Sequence, residues 1–357
     1  MSKFLSSRFE SLEAYQPGEQ PRDRKYIKLN TNESPYSPSS EVIKRISEEE
    51  VSRLNLYPDP TGKVLKEKIA ALYDVEPENV FISNGSDDIL NFAFMAFCDK
   101  EHGVAFPDIS YGFYPVYAKL HGVPSLEIPL QEDFSIDIND YKNTGKMTVL
   151  ANPNAPTGMT ISLGEIEELL LTNPNQVFLV DEAYVDFGGV SAVKLIKKHD
   201  NLLVVQTFSK SRSLAGGRLG FAIAQKELIK DLEKIKFSTN PYCINRLTLI
   251  AGEASIDSND YYMENARKIM KTRDNLVARL QENGFHILPS KANFIFLEHE
   301  EISGQKLYKK LKEKGILVRY FSKKRIDNFI RVSIGTEEDM QRFAIALLEI
   351  LKEEKGE

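Results

Sequence analysis

Cysteine is scarce in this chain. Cys98 and Cys243 are the only two among 357 residues, they stand in apolar contexts, and no CxxC spacing occurs. That removes a disulfide framework and a thiolate metal site, and it fits a reducing compartment. Histidine is also thin: His102, His121, His199, His286 and His299 are too scattered to form a ligand cluster, so no metal is expected. No GxSxG elbow, Walker loop or GxGxxG dinucleotide fingerprint occurs, which withdraws support from triad hydrolysis, phosphoryl transfer and dinucleotide binding. There is no excess of positive charge. Lys+Arg number 46 against 52 Asp+Glu, a net charge of -6, whereas a nucleic-acid partner calls for a basic face. Basic stretches such as "KKLKEKG" and "SKKR" read as solvated faces. Long hydrophobic runs are missing as well: "ILNFAFMAF" is far too short to span a bilayer, so no membrane partner is expected. The opening "MSKFLSSRFESLEAY" lacks the apolar segment of a secretory signal, and a cytoplasmic protein is expected. No internal repeat or low-complexity tract is visible.

The composition, 42% hydrophobic and 27% charged, belongs to a soluble globular chain. From about residue 80, short apolar runs alternate with helical segments. "NVFIS" leads into "SDDILNFAFMAF", "GVAF" into "YGFYPVYAKL", and "TVLAN" into "SLGEIEELLL"; then come "VFLVDEA", "LLVVQTFSK" and "LGFAIA". This alternation predicts an α/β fold with a mostly parallel central sheet flanked by helices. Ser162 and Glu165 form a capping-box pattern. After about residue 256 a long charged helix is followed by "ANFIFLEH", "ILVRYF", "NFIRVSIG" and further helices. The division expected is therefore an N-terminal arm (1–45), a large α/β domain (46–255) and a small C-terminal α+β domain (256–357).

In open α/β sheets, ligands bind beyond the carboxyl ends of the strands. Unusual polar residues gather there. In "SNGSDDIL", Ser86 and Asp87 fall at the first turn of a helix, where free N–H groups and the dipole favour an anion. Asp181 ends the apolar run "VFLVD" and needs a cationic partner, supplied either by the protein or by a ligand. Tyr184 offers a phenol three residues on. "LANPNAPTG" brings asparagine amides to another strand end, although turn chemistry alone also accounts for them. Lys210, at the end of "NLLVVQTF", is an amine able to condense with an aldehyde. Arg218 is a fixed cation with bidentate reach for phosphate, near Thr207 and Ser209. An aldehyde, a phosphate, a pyridinium and a phenolate are the handles of pyridoxal 5′-phosphate.

Through such residues the chain resembles the class I/II aminotransferases of fold type I, nearly from end to end. "TFSK", "LAGGRLGF", "VDEAYVDF" and "NPNAPTG" carry the general likeness. "AYQPG", "KLNTNESPYSPS", "LYPDP", "ILVRYF" and "IRVSIGT" are similar to the histidinol-phosphate branch. The resemblance implies a pyridoxal-phosphate-dependent transaminase. In it Lys210 binds the cofactor, Asp181 pairs with its pyridinium, Tyr184 contacts the ring hydroxyl and Tyr111 stacks on the ring. Ser86, Asp87, Thr207, Ser209 and Arg218 would hold the phosphate. Tyr57 would reach it from the other subunit, which makes the protein a homodimer with a shared site. Arg331, with Arg319 beside it, would bind the acidic group of a small amino donor and of a 2-oxo acid, and Tyr15 and Asn32 would cover the substrate. The chain departs from the family pattern at Ala155, where asparagine is usual before Pro-Thr-Gly: either Asn154 serves instead, or the contact with the ring hydroxyl falls to Tyr184 alone. Ser211 and Arg212 replace the usual small and aromatic residues after the lysine. An aromatic amino-acid aminotransferase and an amino-acid-phosphate decarboxylase share the scaffold. A non-catalytic regulator would need a DNA-binding module, for which "MSKFLSSRFESLEAYQPG" leaves no room.

Overall fold

The computed structural model describes residues 4–355. A short first strand, β1 (Ile27–Lys28), is followed by the strands of a seven-stranded sheet. These are β2 (Val80–Ser83), β3 (Val104–Pro107), β4 (Ser125–Ile128), β5 (Met147–Ala151), β6 (Phe178–Asp181), β7 (Leu202–Thr207) and β8 (Gly220–Ala224). Their order is β2-β8-β7-β6-β5-β3-β4. The run from β4 to β7 is parallel, and β8 lies antiparallel between β7 and β2.

Every residue of β2, β3, β5, β6, β7 and β8 is buried, which is why they read as unbroken apolar runs. Alternate side chains feed opposite faces. Val180 and Val204 join one apolar cluster with Leu169, Ile196 and Phe208, while Leu179, Leu203 and Val205 join another with Phe94, Tyr114 and Leu232. The reversed β8 decides where the site forms. Its first residue, Gly220, pairs with Thr207 at the end of β7 and with Ser83 at the end of β2. The segment entering β8 therefore lies beside the carboxyl ends of the other strands.

The C-terminal part has its own antiparallel sheet, ordered β12-β13-β10-β9, from β9 (His286–Ile287), β10 (Phe294–Glu298), β12 (Arg319–Tyr320) and β13 (Ile330–Ser333). The helices Asn259–Gln281, Gly304–Glu313 and Glu337–Lys355 supply Leu276, Leu307 and Leu347 to its core. The stretch "ILVRYF" is not one strand. Its first part, β11 (Ile316–Leu317), pairs in parallel with β1, whereas β12 pairs with β13 and sets Arg319 opposite Arg331. The chain after β1 continues between these strands: Leu29 N–H donates to the Leu317 carbonyl, and Ser333 N–H donates to the Leu29 carbonyl. The capping box at the helix Leu163–Thr172 closes in both directions between Ser162 and Glu165. Among the described residues no helix is long and apolar enough to cross a membrane, no group of His, Cys, Asp or Glu could hold a metal ion, and both cysteines are free.

Candidate active site

At the carboxyl edge of the large sheet lies a cavity of about 370 Å³. Lys210, Asp181, Tyr184, Tyr111, Ser86, Asp87, Thr207, Ser209 and Arg218 all line it. The carboxyl ends of β2, β3, β6 and β7 and the segment entering β8 bring these residues together.

Asp181 closes β6. Its carboxylate accepts from the Tyr114 hydroxyl (2.8 Å) and the Ala183 N–H (3.3 Å), and no cation of the chain pairs with it among the described residues. Burial pushes its pKa up to about 6, against the opposing pull of those two hydrogen bonds. A buried carboxylate without a cation calls for one from a ligand. Tyr114, in "YGFYPVY", carries no sequence signal for this role. Only folding places its ring over β6.

Lys210 sits one turn past β7. Phe208, Ser209 and Ser211 around it are buried, and Leu214 N–H donates back to the Phe208 carbonyl to close the loop. The Lys210 amine donates to the Thr31 carbonyl (3.3 Å) and lies 5.6 Å from the centre of the Tyr184 ring. It is half-buried and faces the cavity, with no carboxylate partner among the described residues.

The helix Ser86–Phe97 points its N-terminus at the same space, with no side chain capping its first N–H groups. Close approach here depends on glycine. Gly85 has φ +87°, and a Cβ on it would lie 2.8 Å from Arg218 Nη2; a Cβ on Gly220 would lie 2.4 Å from the Ser86 nitrogen. Arg218 donates to Asp87 (3.0 Å), which also accepts from the Tyr111 hydroxyl (2.7 Å). With its carboxylate so engaged, Asp87 offers an anion its backbone N–H rather than its side chain. Burial and Asp87 together raise the Tyr111 phenol far above its ordinary pKa. Thr207 and Ser209 add hydroxyls, hydrogen-bonded to each other at 3.0 Å.

A neighbouring cavity of about 480 Å³ shares Lys210, Tyr184, Tyr111, Thr31 and Ala155 with the first. Tyr15, Asn32, Arg319 and Arg331 line it. Arg331 donates to the Asn30 carbonyl (3.2 Å), its Nε is buried without a hydrogen-bond partner among the described residues, and burial lowers its pKa. Such a guanidinium suits an anionic ligand. Arg319 instead donates to the Gln16 and Pro17 carbonyls (3.0 and 3.2 Å), so it ties down the segment bearing Tyr15. Tyr15 stacks on Phe113 with ring centres 4.1 Å apart.

Two expected residues stand apart. Asn154 lines neither cavity: its amide donates to the Ile109 carbonyl (3.0 Å) and to Thr157 Oγ1 (3.1 Å), and its oxygen accepts from Ser110. Ala155 faces the cavities in its place. The expectation that Asn154 serves in place of the missing amide therefore meets no free donor on that side chain. The turn geometry uses its donors internally. Tyr57 is 79% exposed, stacks on Tyr242 and touches neither cavity within one chain.

Residues 24–347 match the family described as Aminotransferase class I and II. A histidinol-phosphate aminotransferase from Brachyspira hyodysenteriae is 52% identical over 353 residues, covering 99% of this chain and all of that protein. One from Clostridium botulinum is 50% identical over 351 residues, 98% of this chain and 99% of that protein. Among solved structures, the histidinol-phosphate aminotransferase from Clostridium acetobutylicum superposes with a TM-score of 0.85 at 26% identity, over 92% of this chain and 99% of that one. That from Sinorhizobium meliloti, in complex with pyridoxal-5′-phosphate, gives 0.88 at 22% identity over 99% of each chain.

Proposed function

Because the chain belongs to the class I and II aminotransferases, with fold type I architecture, we propose that it uses pyridoxal phosphate to interconvert histidinol phosphate and 2-oxoglutarate with imidazole acetol phosphate and glutamate, in histidine biosynthesis. The observation that carries the reading is the pairing of complementary sites along one cavity wall. An unpaired buried carboxylate, Asp181, faces the same space as the Lys210 amine and an anion cradle built on Gly85 and Gly220. These residues fit a pyridinium, an aldehyde and a phosphate.

When bound, pyridoxal phosphate supplies an electron sink for the bonds at the substrate's Cα. Asp181 then keeps the ring nitrogen protonated, and Tyr184 donates to the ring oxygen. The N–H groups of Ser86 and Asp87, the hydroxyls of Thr207 and Ser209, and the Arg218 guanidinium hold the phosphate, while Tyr111 covers one ring face. Lys210 would anchor the cofactor and, when displaced by the substrate amine, would move the proton from Cα to C4′, with the reverse transfer in the second half-reaction. Positioned proton transfer of this kind contributes about 10²–10⁴-fold in rate. Arg331 binds a carboxylate or a phosphate in turn, since a guanidinium fork fits both. Arg319 holds the Tyr15 segment over the substrate.

We place the working enzyme in the cytoplasm as a homodimer, each site receiving Tyr57 of the partner subunit. The chain divides into an arm to about residue 45, a large domain to about 255 and a small domain beyond. The test is a panel of amino donors with 2-oxoglutarate as acceptor. Histidinol phosphate is expected to give glutamate fastest. Preference for phenylalanine would reassign the enzyme to aromatic amino acids, and carbon dioxide release from an amino-acid phosphate would make it a decarboxylase.

A further inference from the structure

Ala155 leaves the cavity wall without an amide donor at a position where the Asn154 side chain has turned away. Tyr184 is then the phenol that remains at that corner, and the direction of its single hydroxyl proton becomes decisive. The structure fixes that direction through Asn32.

Asn32 is 1% exposed and sits at φ +55°, a conformation that asparagine tolerates better than most residues. All sides of it are tied. Its backbone N–H donates to Ser333 Oγ (2.8 Å), Ser333 Oγ donates to Asn32 Oδ1 (3.0 Å), and Asn293 Nδ2 donates to the Asn32 carbonyl (3.0 Å). Ser333 Oγ thus accepts from that N–H and gives its own proton to Oδ1, which leaves Nδ2 turned towards Tyr184. The remaining amide group, Nδ2, faces Tyr184 Oη at 3.0 Å and can only donate. Tyr184 therefore accepts from Asn32. Its proton has no protein acceptor among the described residues and is left for the cavity. The phenol ring is held edge-on to Phe294, with centres 5.0 Å apart.

We propose that Asn32 is a positioning residue that orients the Tyr184 hydroxyl proton into the cavity, making Tyr184 the sole side-chain donor to the cofactor's ring oxygen in a chain whose Ala155 supplies none. This rests on the reading that Tyr184 faces that oxygen. Charged and titratable groups around the phenol are Lys210 over its ring, with Arg331, Tyr15 and Tyr114 close enough to interact electrostatically. All of them stay unchanged in the variants that decide the point.

The readout is the pH midpoint of the visible absorption of the lysine-linked cofactor in the holoenzyme. That midpoint reports the proton shared between the Lys210 linkage nitrogen and the ring oxygen. A donor to the oxygen makes it less basic and lowers the midpoint; losing the donor raises it. Asn32→Asp keeps shape and φ tolerance, but its carboxylate takes the Tyr184 proton away from the cavity. It should raise the midpoint by about 1–2 pH units, the range expected for a hydrogen bond to a charged group. Asn32→Gly removes the amide and leaves the proton free, so it should raise the midpoint less. A purely structural anchor would make the two variants alike. In a Tyr184→Phe background neither substitution should act further. Ala155→Asn, which leaves Asn32 in place, should lower the midpoint and keeps the test alive if the Asn32 variants fold poorly. Equal shifts by Asn32→Asp with and without the Tyr184 hydroxyl would mean a through-space charge effect and overturn the proposal, as would an unmoved midpoint in Ala155→Asn. If Tyr184→Phe alone leaves the midpoint unchanged, the reading of Tyr184 itself fails instead.

Discussion

Replacing Tyr114 by phenylalanine removes one donor from Asp181 and little else. The Tyr114 ring is fully buried, with centres 5.8 Å from Phe106 and 5.7 Å from Tyr111, and phenylalanine preserves those contacts. In the cofactor-free protein Asp181 is raised from 3.8 to about 6 by burial, while the Tyr114 hydrogen bond pulls the other way. A hydrogen bond to a charged group contributes about 1.5–3 kcal/mol. Its loss should carry the Asp181 pKa up by about one to two further units, to about 7–8. The folded value lies above the unfolded one, so the contribution to stability is complete below the unfolded pKa and is lost as pH rises through the folded pKa. In the unaltered apoprotein that loss is nearly over by about pH 7; in Tyr114→Phe it continues to about pH 9. The stability gap between the two chains should then widen by about 1.5–3 kcal/mol from pH 5 to pH 9. Glu182, also buried and raised to about 7, titrates in both chains and cancels in the difference. Urea denaturation of the cofactor-free proteins across this range measures the gap. Saturation with cofactor, whose ring cation keeps Asp181 ionised, should flatten its pH dependence. A gap that stays constant from pH 5 to pH 9 without cofactor would refute the assignment of Tyr114 as the support of an uncompensated carboxylate.

Arg218→Ala should weaken cofactor binding about ten- to a hundred-fold with a smaller effect on the amino donor, and Arg331→Ala should do the reverse, in line with the strength of a charge-assisted contact. Titrations of apoprotein with cofactor and of holoenzyme with donor separate the two, and equal effects on both ligands would dissolve the division of roles. Mixing chains bearing Lys210→Ala with chains bearing Tyr57→Ala should restore activity well above either parent once subunits exchange. In each mixed dimer one site is then intact if Tyr57 acts across the interface. With exchange shown independently, a mixture that only averages its parents would place Tyr57 in its own chain's site.

Much of this architecture is written locally. A parallel strand covered on both faces must be apolar throughout, so β6 and β7 announce themselves, and a polar residue at their carboxyl ends, Asp181 or Thr207, stands out against the run. The capping box at Ser162 is equally local, since its partners lie three residues apart. Lys210 and Arg218 were legible for the same reason: they sit in a short segment whose strand context is plain. Hydrogen-bond partners distant in the chain were not. Asp181 finds Tyr114 67 residues away, and Asn32 finds Tyr184 across 152 residues. Only the packing of separate segments decides such pairs. Nor could spacing reveal that "ILVRYF" breaks between two sheets, that Arg319 spends its donors on the carbonyls of Gln16 and Pro17, or that the turn at Asn154 uses its own amide. Residue pattern reports which face of an element is buried. Which donor meets which acceptor depends on register, on the reversed β8 and on backbone angles such as that of Asn32, and those are properties of the folded chain as a whole.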